Sequence, residues 1–304
     1  MSRILVTGAG GFVGAAVADL AARRGHQVTM MVRNPASPRV VALRGRCAIV
    51  VADLADDEAV RTALAQARPD IVIHSAWEGV GGPARAGTIQ LDNIRTTVAL
   101  LDATIATGAR RFIGIGSQAE YGRHDRRIDE SAATEPFLLY GAAKLSAYHL
   151  TRQRAGEAGI GFAWLRLFSP YGPGDNPNWL IPSVAAQILD GRAPRTSAGT
   201  QKWDYLHITD CAEGVLAAGL TDSAQGVFNL SSGRAVSVRS IVERIRDLAC
   251  PNLQLRFGDI PFGPNQIMHL EGDCGRLCAA TGWAPRIAIE DGLATVVDAL
   301  RLAA

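Results

Sequence analysis

The amino-acid sequence predicts an α/β protein, with a doubly wound parallel sheet, helices on both faces and a smaller mixed α/β lobe at the carboxyl end. Short apolar runs alternate with longer segments of helical spacing in the amino-terminal half. The runs are continuously apolar, as in strands that are buried on both faces. After about residue 168 prolines and glycines become frequent, which indicates a different, more irregular unit.

The predicted elements of the first half follow one another as strand, helix and strand. The first strand covers 4–6 and leads into a helix over 12–24, which Gly25 closes. A long amphipathic helix over 89–107 ends at Gly108. Right-handed crossovers join such units into a parallel sheet. The remaining strands are predicted at 28–32, 48–51, 71–73 and 112–115.

The second half is predicted to be a lobe over the carboxyl edge of the sheet. Helices are expected over 210–220, with Thr209 or Asp210 as N-cap, and over 238–249. We predict a first domain over 1–168, to which 205–232 returns, and a second lobe over 169–304.

Composition and charge narrow the classes of function. The chain has 304 residues, with 31 Lys and Arg against 29 Asp and Glu, so nucleic acid and membrane surfaces are not expected partners. No apolar stretch approaches the length of about 18 residues that a membrane-spanning helix needs. The five cysteines lack CxxC spacing, so we expect free thiols, no metal site and a cytoplasmic location.

A glycine cluster between the first strand and the first helix predicts a dinucleotide site. Gly8, Gly11 and Gly14 have the spacing GxxGxxG, and glycine permits a tight turn and a close approach of the backbone to a diphosphate. The amino terminus of the helix, at Phe12 and Val13, offers free N–H groups to that anion. We therefore predict that residues 1–168 form a Rossmann domain.

The end of the second strand bears on the choice of cofactor. An acid usually stands there to bind the ribose 2′-hydroxyl of NAD, but this chain has Arg33. Arginine pairs with a 2′-phosphate, which favours NADP(H), with NAD(H) as the alternative if Arg33 is only a solvated loop residue. Asp53 and Leu54 are expected near the adenine end, although Asp53 also fits a turn.

A second constellation predicts the reaction centre. Tyr140 and Lys144 are four residues apart, so they share one face of a helix. A nearby ammonium stabilises a phenolate and lowers the tyrosine pKa. Ser117 ends the predicted strand before this helix, at the sheet edge where open α/β sheets bind ligands.

With these motifs the chain resembles the extended short-chain dehydrogenases/reductases, which include nucleotide-sugar epimerases, dehydratases and ketoreductases. The resemblance extends over nearly the whole chain. Ser169 stands where the family usually has asparagine, and a serine pair precedes Gly233. The other segments that carry the resemblance are 74–76, Asn93, 166–174, 204–210 and 228–230.

The resemblance implies roles for individual residues. Tyr140 would be the acid/base, Lys144 would bind the nicotinamide ribose and tune Tyr140, and Ser117 would hold the substrate carbonyl. It also implies a homodimer formed through helices 89–107 and 137–158. Ala76 would border the cofactor, and the candidate substrate contacts are Trp77, Gln118, Asn178, Trp179 and Lys202.

Departures from the family pattern narrow the expected reaction. Gln118 and Ala119 replace the Asp-Glu pair of sugar 4,6-dehydratases, which argues against dehydration. Ala119 and Trp179 stand where 3,5-epimerase-reductases use cysteine and histidine. We predict an NADPH-dependent reductase of a 4-keto nucleotide sugar. The alternatives are an NAD-dependent nucleotide-sugar 4-epimerase and a non-catalytic cofactor sensor, and the pairing of Tyr140 with Lys144 argues against the sensor.

Overall fold

The computed structural model describes residues 1–263 and 265–303; Pro264 and Ala304, both within the predicted second lobe, lie outside the described residues. The strands are β1 Arg3–Thr7, β2 Gln27–Val32, β3 Ala48–Val51, β4 Ile71–His74, β5 Arg111–Ser117, β6 Arg127–Ile128, β7 Gly161–Leu167, β8 Pro170–Tyr171, β9 Lys202–Asp204, β10 Leu206–His207, β11 Gly226–Leu230, β12 Ala235–Ser237 and β13 His269–Gly272. The helices are α1 Phe12–Arg23, α2 Pro38–Ala42, α3 Asp57–Ala67, α4 Ile89–Ala106, α5 Leu139–Ala158, α6 Leu180–Leu189, α7 Ile208–Leu220, α8 Val238–Ala249, α9 Gly275–Thr281 and α10 Ile289–Ala303.

The central sheet has seven parallel strands in the order β3-β2-β1-β4-β5-β7-β11. The register places Ile4 of β1 opposite Val28 on one side and Ile71 on the other. Every residue of β5 is buried. This confirms the predicted doubly wound parallel sheet, and the strand order puts the carboxyl ends of β1, β4 and β5 side by side.

Helices cover both faces of the sheet because alternate side chains of each strand point to opposite faces. Ile4 and Val6 pack in the cluster that contains α1 and α7. Leu5, between them, packs in the cluster that contains α3, α4 and α5. Both faces are therefore apolar and both are covered, which explains the continuously apolar strand sequences.

The remaining elements form a smaller lobe at the carboxyl edge. Helices α6, α8 and α10 share one apolar cluster. A four-stranded sheet of order β12-β9-β13-β6 and the parallel pair β8 and β10 lie beside it. Buried Asp204 ties this lobe together, because its carboxylate accepts hydrogen bonds from the backbone N–H groups of Ser232 (2.8 Å), Gly233 (3.1 Å) and Gly272 (3.1 Å).

The start of α7 differs from the prediction. The N-cap is His207, whose Nδ1 accepts a hydrogen bond from the Thr209 N–H at 3.3 Å, so the predicted cap at Thr209 or Asp210 is wrong. The Asp210 carboxylate accepts instead from the backbone N–H groups of Arg286 (2.9 Å) and Ile287 (2.8 Å). The Asp210 carboxylate is therefore engaged by a segment more than 70 residues away, a contact that the local sequence does not show.

Among residues 1–263 and 265–303, the helices are all too short or too polar to cross a lipid bilayer.

Because β5 packs closely against β7, one methyl group added at Gly114 is predicted to lower the stability of the protein. A Cβ on Gly114 would lie 2.2 Å from Cε3 of the fully buried Trp164. We expect Gly114→Ala to lower the free energy of unfolding by about 1–3 kcal/mol, measured by urea denaturation. The control is Gly156→Ala on exposed helix surface, where a Cβ meets no atom within 4 Å and helix propensity predicts a gain of about 0.5–1 kcal/mol. Equal changes in the free energy of unfolding of the two variants would contradict the conclusion that Gly114 is closely packed.

Candidate active site

The turn between β1 and α1 needs glycine for steric reasons. Gly8 has φ +68°, and a Cβ there would lie 2.6 Å from the backbone nitrogen of Ala76. A Cβ on Gly14 would lie 2.4 Å from the Gly8 carbonyl oxygen. The Gly11 N–H donates to that same oxygen at 2.8 Å, which closes the turn. The structure thus brings Ala76 against the glycine turn, where the sequence analysis expected it to border a cofactor.

The amino terminus of α1 fits the diphosphate of a dinucleotide. Its N-cap is Gly11, which provides no side-chain hydrogen bond to the first turn. The N–H groups of Phe12 and Val13 belong to the first turn, which has no intrahelical acceptors. These N–H groups and the helix dipole favour an anion at this position.

The charge at the end of β2 is not the bare cation that the sequence suggests. The guanidinium of Arg33 forms an ion pair with Glu78, which follows β4. Because β1 lies between β2 and β4, this pair bridges the carboxyl end of β1 near the glycine turn. Sequence reasoning missed Glu78, since nothing local relates position 78 to position 33.

A second arginine lies near this end of the sheet. Arg39 of α2 donates to the Gly10 carbonyl oxygen at 3.3 Å and to the Gly174 carbonyl oxygen. It therefore joins the glycine turn to the segment after β8. Asp53 is exposed and its carboxylate accepts a hydrogen bond from the Ala55 N–H at 2.9 Å, while Leu54 is half-buried against the sheet.

Ser117, Tyr140 and Lys144 converge at the carboxyl edge of the sheet. Ser117 is the last residue of β5, and the other two lie in the first turns of α5, with all three side chains buried. Burial raises the pKa of Tyr140, whereas its hydrogen bond with Ser117 and the positive charge of Arg85 lower it. A hydroxyl and a cation thus both favour the phenolate that proton transfer requires.

Lys144 is held by β5 and by an aromatic ring. Its Nζ donates to the Ile115 carbonyl oxygen at 2.5 Å and lies 3.8 Å from the ring centre of Trp77. Burial lowers the pKa of Lys144 to about 7, while Glu120 opposes that shift. The ammonium is therefore lost as pH rises through about 7, and its interaction with the Trp77 ring favours the charged form.

Trp77 is itself fixed by Gln90, a residue that the sequence analysis did not single out. The indole Nε1 donates to Gln90 Oε1 at 2.8 Å. Gln90 is fully buried, and its Nε2 donates to the carbonyl oxygens of Gly79 and Ala84, both at 3.0 Å. One amide thus fixes both Trp77 and the turn Gly82–Ala86 that follows it.

That turn brings Arg85 to the reaction centre. The guanidinium carbon of Arg85 lies 4.5 Å from the ring centre of Tyr140. Position 85 lies in a glycine-rich loop, where the sequence carries no periodic signal, and sequence reasoning missed it.

Glu120 has a structural role beside the centre. Its Oε1 accepts hydrogen bonds from the Ser117 N–H and the Trp164 Nε1, both at 2.9 Å. Its Oε2 accepts from the Arg166 Nε at 2.8 Å, and both members of this ion pair are buried. The carboxylate therefore faces the core and holds the end of β5.

The predicted substrate residues are spread over a wider area. The Oε1 of Gln118 is buried and has no hydrogen-bond partner within the described residues. Trp179 packs on the loop after β4, since a Cβ on Gly81 would lie 2.9 Å from its ring. Asn178 is exposed in the preceding turn, and Lys202 is exposed on β9 of the small sheet.

His74 is a structural residue under the site. Its ring nitrogens contact the hydroxyls of Thr7 at 2.8 Å and Thr97 at 3.0 Å, which links β4 to β1 and α4. Burial lowers the pKa of His74 to about 3, so the ring is neutral at physiological pH.

Comparison with known proteins agrees with this geometry. Residues 4–231 match the model of the NAD dependent epimerase/dehydratase family. A UDP-glucose 4-epimerase of Corynebacterium glutamicum is 30% identical over 81% of this chain and 80% of its own length. A dTDP-L-rhamnose 4-epimerase of Burkholderia thailandensis is 27% identical over 96% of this chain and 93% of its own length. The crystal structure of the Thermus thermophilus UDP-glucose 4-epimerase with NAD superposes with a TM-score of 0.89 at 22% identity, covering 99% of this chain and all of the other.

The buried contacts of Glu120 predict a large stability effect. Glu120→Gln removes the charge that compensates Arg166, and we expect a loss of about 3–5 kcal/mol in the free energy of unfolding, measured by urea denaturation. The matched control is Asp102→Asn, which breaks the exposed ion pair with Arg154 and should cost under about 1 kcal/mol. Similar losses for both variants would mean that Glu120 does not support the core.

Proposed function

The chain belongs to the NAD-dependent epimerase/dehydratase family, whose members are extended short-chain dehydrogenases/reductases, and from that premise we propose that it is a nucleotide-sugar 4-epimerase. The observation that carries the proposal is the convergence of Ser117, Tyr140 and Lys144 at the sheet edge where the strand before the glycine turn also ends. The names of the relatives favour epimerisation at C4 as the reaction.

Tyr140 moves the proton in this proposal. A bound nicotinamide cofactor supplies the hydride chemistry. The Tyr140 oxygen takes the proton of the sugar 4-hydroxyl, and it returns a proton to the 4-oxygen in the reverse direction. Ser117 donates a hydrogen bond to that oxygen, where negative charge develops, and Lys144 stabilises the phenolate form of Tyr140.

The surroundings of the centre favour chemistry confined to C4. Elimination of water would need a further acid and base beside the sugar. Glu120 is the nearest carboxylate in sequence to Ser117, but its oxygens face Trp164 and Arg166. Gln118 and Ala119 do not ionise, so no elimination is proposed.

NAD is the proposed cofactor, because Glu78 neutralises Arg33. A 2′-phosphate would have to displace the Glu78 carboxylate from Arg33, whereas a 2′-hydroxyl can donate a hydrogen bond to it. NADPH-dependent reduction of a 4-keto nucleotide sugar is the second candidate function. Arg33 and Arg39 favour it, since both lie where a 2′-phosphate would need cations.

The substrate is proposed to lie between the loop after β4 and the start of α6. Trp77 and Trp179 flank this region, and the unpartnered oxygen of Gln118 can accept a hydrogen bond from a sugar hydroxyl. Asn178 and Lys202 are proposed to contact the nucleotide moiety farther from Tyr140.

We also propose a homodimer through α4 and α5. These helices pack against each other on one face of the sheet. Apolar side chains on them stay largely exposed in the single chain, including Leu91 and Leu150. A second copy would remove them from water.

The proposed reaction predicts that Tyr140→Phe lowers turnover by roughly 10²–10⁴-fold, the usual contribution of general acid–base catalysis. The assay follows UDP- and dTDP-sugars and their 4-epimers by chromatography, without added reductant. Binding of NAD to the variant should persist. The control is Tyr148→Phe, a buried tyrosine on the same helix that packs near Phe162 and Trp164 and should retain turnover.

Two results would count against the proposal that the protein is a 4-epimerase. Unchanged turnover in Tyr140→Phe would remove Tyr140 from the reaction. Consumption of NADPH with a 4-keto sugar, without interconversion of 4-epimers, would favour the reductase.

The ion pair at the end of β2 predicts a shift in cofactor selectivity. Glu78→Gln frees Arg33, so we expect the ratio of NADPH to NADH affinity to rise roughly two- to fivefold, in line with an exposed charge pair. Arg33→Asp should move the ratio the other way. Fluorescence titration of both reduced cofactors measures the ratio, and an unchanged ratio in both variants would mean that this pair does not face the ribose.

A further inference from the structure

The loop after β4 presents to the candidate reaction centre an arginine for which the described residues provide no carboxylate partner. The guanidinium carbon of Arg85 lies 4.5 Å from the ring centre of Tyr140. Its Nε atom is buried and lacks a hydrogen-bond partner in the part of the chain that the structure describes. No carboxylate of residues 1–263 or 265–303 forms an ion pair with it.

This lack of a partner distinguishes Arg85 from other arginines around the sheet edge. Arg33 is paired with Glu78, and buried Arg166 is paired with Glu120. Arg39 donates to two carbonyl oxygens. A partly buried guanidinium without such partners is costly, and an anionic ligand would offset that cost.

The position of Arg85 is set by the loop. Gln90 donates to the carbonyl oxygens of Gly79 and Ala84, so the residue directly before Arg85 is anchored to α4. Trp179 packs on Gly81 from the other lobe. The guanidinium is thus held in place beside the catalytic phenol before any substrate arrives, which lowers the cost of binding.

From this placement we propose that Arg85 binds a carboxylate on the sugar, and that the preferred substrates are acidic nucleotide sugars with the carboxylate on the ring carbon next to the reacting one. The inference rests on the proposed function. Arginine matches a carboxylate with two parallel hydrogen bonds.

The position of the reacting carbon favours the sugar carboxylate over the diphosphate. Tyr140 works at C4, and a carboxylate on C5 is attached to the neighbouring carbon. The diphosphate is attached to the anomeric carbon, on the opposite side of the sugar ring. A guanidinium 4.5 Å from the ring centre of Tyr140 would therefore be nearer to a substituent on a carbon next to C4 than to the diphosphate.

The test compares UDP-glucuronic acid with UDP-glucose in wild type, Arg85→Gln and Arg85→Lys. We expect wild type to have the higher kcat/KM for the acid. Arg85→Gln should lower the ratio of the two kcat/KM values roughly ten- to a hundredfold, as expected for hydrogen bonds to a charged group, and Arg85→Lys should restore part of it. The control Arg61→Gln, at an exposed position of α3, should leave both values unchanged.

Other outcomes overturn the proposal. An equal rise in KM for both sugars would assign Arg85 to the diphosphate. An equal fall in kcat, with a shifted pH profile, would assign it to Tyr140 alone. A wild type that prefers UDP-glucose would also overturn it.

Binding of the two sugars distinguishes failure of the proposed function from failure of the inference about Arg85. If wild type converts neither sugar, the epimerase proposal fails, and calorimetric titration with the same two compounds still tests Arg85. Tighter binding of UDP-glucuronic acid that disappears in Arg85→Gln would support the inference, and equal binding in wild type would overturn it.

Discussion

The buried carboxylate of Glu120 is the constraint on which the candidate reaction centre depends. It accepts hydrogen bonds from the Ser117 backbone, from Trp164 and from Arg166, so it fixes the end of β5 against β7. Ser117 ends β5, and Lys144 donates to the carbonyl oxygen two residues before it. An ionised group inside the core is stable only with such full pairing. The Glu120–Arg166 salt bridge thus supports the strand end to which Tyr140 and Lys144 are hydrogen-bonded.

Two cations contact the neighbouring rings of Trp77 and Tyr140. Lys144 is buried, and its charge is lost as pH rises through about 7. Arg85, from the loop after β4, has its guanidinium carbon 4.5 Å from the ring centre of Tyr140, and its positive charge lowers the pKa of that phenol. The ring of Trp77 lies 3.8 Å from the lysine nitrogen and is edge-on to Tyr140. Arg85 therefore contacts the phenol ring, whereas Lys144 contacts the indole ring beside it.

The loop after β4 connects the proposed cofactor end of the site to the proposed substrate end. Its first residues provide Trp77 to Lys144 and Glu78 to Arg33, and its turn carries Arg85. Asn93 of α4 fixes the start of this loop, since its side chain accepts from the Glu78 N–H at 2.9 Å and donates to the Glu78 carbonyl oxygen at 3.0 Å. Gln90 fixes the rest. The residues on which the proposed cofactor choice and the proposed substrate choice depend therefore lie in one segment that two buried amides hold.

The sequence by itself determined the sheet, the glycine turn and the Tyr140–Lys144 pair, because strand burial, tight turns and helical spacing are local properties. It also placed Ser117 at a strand end. Only the tertiary structure decided which charges meet, since Arg33 and Glu78 are far apart in sequence and come together through the strand order β4-β1-β2. The same holds for His207 as the cap of α7 and for Arg85 over Tyr140. Pairing across strands and loops has no local period, so charge partners at a sheet edge appear only once the chain is folded.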